Sequence, residues 1–172
     1  MAERSPSGPQ EASGKTGAPA ARRLKPERPR DELGRPQPWE ARNRLEMPDF
    51  DRNSLEENHR LGIRFFEEGK YFPAHEAWET AWKQARGTDD AEFFKGLSQL
   101  GAGYVHLLRG NRHGAFTLMR RAAGRIDRYP SGHHGIATTV VAERALADAE
   151  AVEKGELATG EDARFDPLPL RA

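Results

Sequence analysis

The sequence predicts an all-α protein: a compact antiparallel bundle of about five helices, built on two helix-turn-helix units and preceded by a disordered N-terminal tail. Three observations carry that expectation. From Phe50 onward, apolar residues recur at helical spacing without a sustained alternation of period two. Short turns separate these stretches, as between antiparallel neighbours. Finally, 8 of the 12 prolines fall within the first 48 residues, where they prevent regular helix or sheet.

The elements follow in order. Ser54 and Glu57 have capping-box spacing and open a first helix over about 55–68, with Leu61, Phe65 and Phe66 on its apolar side and Gly69 at its end. Pro73 suits the first turn of a second helix that reaches about Arg86 and stops at Gly87. Asp89 and Glu92 repeat the capping-box spacing before a third helix, which carries Phe93, Leu97, Leu100, Tyr104, Leu107 and Leu108 to Arg109 and ends at Gly110. A fourth helix runs from about Arg112 to Arg128 and is closed by Pro130. A fifth starts at Thr138 or Thr139 and ends near Lys154. Gly69 to Ala74 and Gly110 to Ala115 share a Gly-to-Ala spacing at an offset of 41 residues, reminiscent of tetratricopeptide-type helix pairs. The expected organisation is a Pro/Arg-rich tail over 1–48, a helical domain over 49–155 and an irregular C-terminal tail over 156–172.

Composition excludes several function classes. With 31% charged and 36% hydrophobic residues, the 172-residue chain is too polar to form one core throughout. Lys and Arg total 27 against 27 Asp and Glu, so no net charge draws the chain to a polyanion. The tail carries net +3 and the remainder net −3, too small a contrast to change that. Cysteine is absent, which removes disulfides, thiol nucleophiles and thiolate metal sites. No apolar leader segment stands within Met1 to Arg30 and no run of eighteen apolar residues occurs, so the expected location is the cytoplasm, away from membranes. There is no Gly-rich phosphate loop, dinucleotide fingerprint or Gly-x-Ser-x-Gly elbow.

The densest group of reactive side chains is His75, Glu76 and Glu79, set among Trp78 and Trp82 on the second helix. His75 and Glu79 lie one turn apart on one side, and Glu76 and Glu79 are also neighbours. Gln99 and His106, seven apart on the third helix, would share a face with Gly96 and Gly103. If the second and third helices pair, His75, Glu76, Glu79, Gln99 and His106 converge on a polar pocket walled by Trp78 and Trp82. Three readings stand. In the first the pocket binds a small molecule or a protein partner. In the second, a metal-dependent hydrolase, a divalent cation sits on His75, Glu79 and His106 with Glu76 as general base. In the third the polar groups only lock two helices together.

Two further features have plain alternatives. Arg112, Arg120, Arg121, Arg125 and Arg128 give the fourth helix a basic character, but they do not form one stripe and no aromatic residues interleave, so a solvated face is expected before a nucleic-acid surface. His133 and His134 sit in a Gly-flanked loop, where transition-metal affinity competes with simple solvation.

The run FFEEGKYFPAHEAWETAW from Phe65 to Trp82, with FFKGLSQLGAGYVHLLRGNRHGA from Phe93 to Ala115 and the stretch Ile126 to Pro130, resembles the bacterial and plant family known as domain of unknown function 309. Its most specific parts are Gly69, Tyr71, Ala74-His75-Glu76, Trp78-Glu79 and Trp82, then Gln99, His106, Gly110-Asn111 and Gly114-Ala115. The resemblance covers about Asn58 to Leu146 and implies an all-helical fold with no established activity.

Overall fold

The computed structural model describes residues 27–171. Five helices follow in order: α1 Leu55–Glu67, α2 Tyr71–Gln84, α3 Ala91–Leu108, α4 Arg112–Ile126 and α5 Thr138–Lys154. Short 3₁₀ turns stand at Phe50–Arg52, His133–Gly135 and Gly160–Asp162. Among the described residues there is no strand, only an isolated bridge between Arg30 and Pro36. No helix among them is long and apolar enough to cross a membrane. Each helix packs on its neighbours in sequence, α1 on α2, α2 on α3, α3 on α4 and α4 on α5.

Local sequence sets most boundaries. Ser54 Oγ accepts the Glu57 amide at 3.3 Å while Glu57 accepts the Ser54 amide at 2.8 Å, completing the capping box of α1. The 41-residue repeat appears as duplicate hydrogen bonding. After α1 the Lys70 amide donates to Phe65 O and the Gly69 amide to Phe66 O; after α3 the Asn111 amide donates to His106 O and the Gly110 amide to Leu107 O. Both are Schellman closures, and both place a glycine at positive φ, +73° at Gly69 and +79° at Gly110. Ala74 and Ala115, five residues after those glycines, are fully buried, so the second helix of each pair can lie close against its neighbours.

The start of α3 departs from expectation. Its cap position is Asp90 rather than Asp89, and the Asp90 side chain makes no cap hydrogen bond. Tyr129 takes over that role: its hydroxyl accepts the Phe93 amide at 3.1 Å and donates to Asp89 O at 2.6 Å.

The core holds Trp78, Phe93, Phe94, Leu97, Tyr104 and Met119, all fully buried. Gly62 of α1 lies under Trp78, where a Cβ would come within 2.5 Å of the indole. On the far side of the core, Tyr104 donates to Asp148 at 2.6 Å and Arg144 closes on the same carboxylate at 2.9 Å.

The described segments that flank the helices lie on the bundle. Residues 1–26 of the N-terminal tail lie outside the described residues. Residues 27–48 are irregular, yet they form a strap on the bundle rather than free chain. Asp31 accepts the Leu33 and Arg35 amides at 3.0 and 2.8 Å, making a turn that sets Gly34 (φ +75°) directly on the Phe72 ring. Arg109, the C-cap residue of α3, donates to Leu33 O at 3.0 Å, and the Arg30 and Arg109 guanidinium groups flank Phe72 at 5.9 and 5.6 Å. Proline excludes regular structure but does not prevent docking onto the half-buried Phe72 ring. The C-terminal segment is likewise irregular but anchored: Leu168 and Leu170 are buried, Phe165 packs 5.3 Å from Tyr104, and the Ala137 amide donates to Leu170 O.

Candidate functional site

The helix α2 begins at Tyr71, so His75, Glu76 and Glu79 fall in its first two and a half turns, on the side that runs from α3 toward solvent. Gly101 of α3 admits α2 at this level, since a Cβ there would lie 3.0 Å from His75 N and Cα. That close approach lets His75 Nδ1 reach the Ser98 carbonyl at 3.0 Å, with Ser98 Oγ also at 3.0 Å. A carbonyl only accepts, so Nδ1 carries the proton. The other ring nitrogen faces two carboxylates: Nε2 is 3.6 Å from Glu76 Oε1 and 3.4 Å from Glu79 Oε2.

Three ligand-capable atoms thus converge with no donor hydrogen bond among them. The side chains of His75, Glu76 and Glu79 are 23%, 35% and 31% exposed, so an ion can reach them from solvent. Lys83 hydrogen-bonds Glu79 Oε1 at 2.8 Å and holds the Glu79 carboxyl below the usual carboxylate range; partial burial works against this and His75 adds to it. Beyond Glu76, between the strap and α2, lies an open cavity of about 560 Å³ lined mainly by polar and charged groups, among them Arg28, Asn43, Asp49, Glu76, Thr80 and Lys83.

The remaining residues expected at this site lie elsewhere. His106 is not part of the converging group. Its Nδ1 meets the Asn111 side-chain amide at 2.8 Å, and Gly114 of α4 sits against the same ring. Asn111 Oδ1 accepts the Gly114 amide at 3.0 Å, so its NH₂ points at His106, whose Nδ1 must accept. Burial, helped by Arg109 and His75, pushes the His106 pKa down. The reason for the divergence is helical: Ser98 faces α2, and Gln99, one residue later, is rotated by about 100°. Gly96 and Gly103 accordingly meet Ile126 and Met119 of α4, not α2. Gln99 Oε1 is buried without a hydrogen-bond partner.

Neither tryptophan walls a pocket with the others. Trp78 is fully buried and donates its indole N–H to His59 Nδ1 at 3.1 Å. Trp82 is half-buried with Lys95 and Arg86 over its ring at 5.0 and 5.5 Å. Three of the four arginines of α4 are engaged within the molecule: Arg112 donates to Val152 O at the end of α5, Arg125 pairs with Glu92, and Arg120 covers Phe116. Sequence reasoning did not single out Ser98, whose part is played through its backbone, nor His59, Asp90 and Tyr129, whose partners are remote in the chain.

Residues 59–118 match the model of the family described as Domain of unknown function (DUF309). It is the family that the sequence resembles. The DUF309 segment takes in α2 and α3 whole, with the adjoining parts of α1 and α4. It therefore contains His75, Glu76, Glu79, Ser98, Gln99 and His106, and it stops before Tyr129, His133 and His134. No curated protein and no solved structure matches the chain.

Proposed function

We propose that this protein is a binding module in which His75, Glu76 and Glu79 hold a divalent cation at the edge of the cavity between α2 and the strap. The open side of the ion would receive an oxygen-donor ligand, a small polar molecule carrying a carboxylate or phosphate. The observation that carries this reading is the commitment of His75 Nδ1–H to the Ser98 carbonyl. It leaves Nε2 and two carboxylate oxygens facing one another, an all-acceptor group that only a cation, a proton or a metal ion, can satisfy. A histidine that donates its second N–H to a backbone carbonyl is the usual arrangement of a metal ligand. Separations of 3.4 and 3.6 Å are close to the roughly 3.3 Å expected between tetrahedral ligands about 2.0–2.1 Å from zinc.

The hydrolase alternative draws less support. It needs His106 as third ligand so that Glu76 is free to act as base, whereas Glu76 stands 3.6 Å from His75 Nε2 within the converging group and His106 is engaged with Asn111. A nucleic-acid partner has no part in this reading, because three of the four arginines of α4 are engaged within the molecule. Calorimetric titration of zinc and manganese(II) into tag-free protein tests it: wild type should bind one equivalent more than His75→Ala or Glu79→Gln does. Wild-type protein that binds neither ion, or a His75→Ala protein that loses nothing, overturns it.

A further inference from the structure

A second cluster stands at the end of the bundle where the α2–α3 and α4–α5 connections meet. His133 Nε2 is 2.7 Å from Asp90 Oδ1, and His134 Nε2 is 2.9 Å from Asp90 Oδ2. Asp90 holds the cap position of α3 but gives α3 no cap hydrogen bond, Tyr129 having taken the Phe93 amide in its place. Its carboxylate is therefore committed wholly to the two imidazoles.

The histidines are held from behind. The His134 backbone is left-handed, φ +47°, and its carbonyl accepts from His59 Nε2 at 2.8 Å. Trp78 donates to the other nitrogen of His59, so the His59 proton is on Nε2 and the relay Trp78 to His59 to His134 has one direction. Phe93 lies against both rings, at 4.7 and 5.6 Å, and Tyr129 stacks on His133 at 4.8 Å. The side chains of His133, His134 and Asp90 remain 24%, 30% and 34% exposed.

We propose that Asp90, His133 and His134 form a transition-metal site that takes a borderline divalent ion of the zinc or nickel class through two imidazole Nε2 atoms and one carboxylate. Two imidazoles and a carboxylate favour such ions over magnesium or calcium, which prefer all-oxygen shells. The three ligand atoms lie within 4.8 Å of one another. The present contacts are hydrogen bonds; exchanging their protons for an ion with bonds of about 2.0–2.1 Å opens the N···O separations to roughly 3.3 Å, a few tenths of an ångström of movement by partly exposed side chains. Binding releases protons and so weakens as pH falls. The ion ties the loop after α4 to the start of α3, and it acts on residues apart from the α2 cluster, of which two, His133 and His134, lie beyond the DUF309 segment.

The test uses the full chain in the His75→Ala background, so that the α2 cluster cannot supply the signal. Nickel(II) and zinc are titrated by calorimetry and the melting temperature is followed with and without one equivalent. One equivalent should bind and raise the melting temperature. Adding His133→Gln with His134→Asn, the asparagine chosen because it tolerates a left-handed backbone, should abolish both effects. Asp90→Asn, which keeps the side-chain volume, should weaken binding at least tenfold and reads the site independently if the loop variant folds poorly. No uptake by the His75→Ala protein overturns the proposal, as does uptake that survives both the loop and the Asp90 variants.

Discussion

His75 donates its Nδ1–H to the carbonyl of Ser98 across the α2–α3 contact, at 3.0 Å. One backbone acceptor thereby decides which face of the imidazole meets Glu76 and Glu79. Because Ser98 acts through its carbonyl, the contact depends on how closely the helices approach, and that is set by Gly101.

Gly101→Ala is therefore expected to act on the site and on stability together. The added methyl would stand 3.0 Å from His75 N and Cα, in backbone that cannot rotate aside. Overpacking of this kind costs about 1–3 kcal/mol. Chemical denaturation should show that loss, and the same protein should bind zinc more weakly than wild type. Unchanged stability and unchanged affinity would show that α2 and α3 are not pressed together at this point.

Tyr129→Phe removes the hydroxyl that accepts the Phe93 amide and caps α3. A lost cap costs about 0.5–2 kcal/mol. The expected result is a lower denaturation midpoint with helical content otherwise kept. Full stability in the variant would mean that Asp90 or water replaces the phenol at no cost.

Stability should fall on acidification before any carboxylate titrates. Burial depresses the pKa of His59 and of His106 below the ordinary 6.5. Near pH 6 the unfolded chain therefore binds more protons than the folded one, and stability rises with pH in that range. The contribution is complete above about pH 6.5 and is lost as pH drops through the window between the unfolded and the depressed folded values. Asp90 and Glu79, held low mainly by His134 and Lys83 respectively, act only further down, below their ordinary 3.8 and 4.5. Thermal melts from pH 8 to 5 should show the decline, with a shallower slope in His106→Gln. A flat profile to pH 5 contradicts the assignment of both rings as neutral.

Release of the strap should be separable from unfolding. Arg109→Ala removes the donor to Leu33 O and one cation from the Phe72 ring. Limited proteolysis should then cut faster within residues 27–48, while the helices stay resistant. Equal cutting rates in wild type and variant would place the anchoring elsewhere, on Phe72 and Gly34 alone.

Legibility in the sequence followed the range of the interactions. Ser54 with Glu57, and Gly69 with Gly110, are local signals, and they set helix ends where expected. His75, Glu76 and Glu79 were legible as a group because one helix carries all three. Whether His106 joined them depended on which side of α3 faced α2, and the 100° between Ser98 and Gln99 decided against it. The docking of the strap on Phe72 left no periodic trace, since a proline-rich segment can lie on a surface without regular structure. Asp90 stands 43 residues before His133, and only the meeting of two connections brings them together.

The most direct measurement is the protonation pattern of the His75 ring, read from nitrogen-15 correlation spectra at pH 8 before and after saturation with zinc. The account predicts a proton on Nδ1 throughout, with the Nε2 resonance moving to a metal-bound position when zinc is added. An Nδ1 without a proton, or an Nε2 resonance that zinc leaves in place, would contradict it.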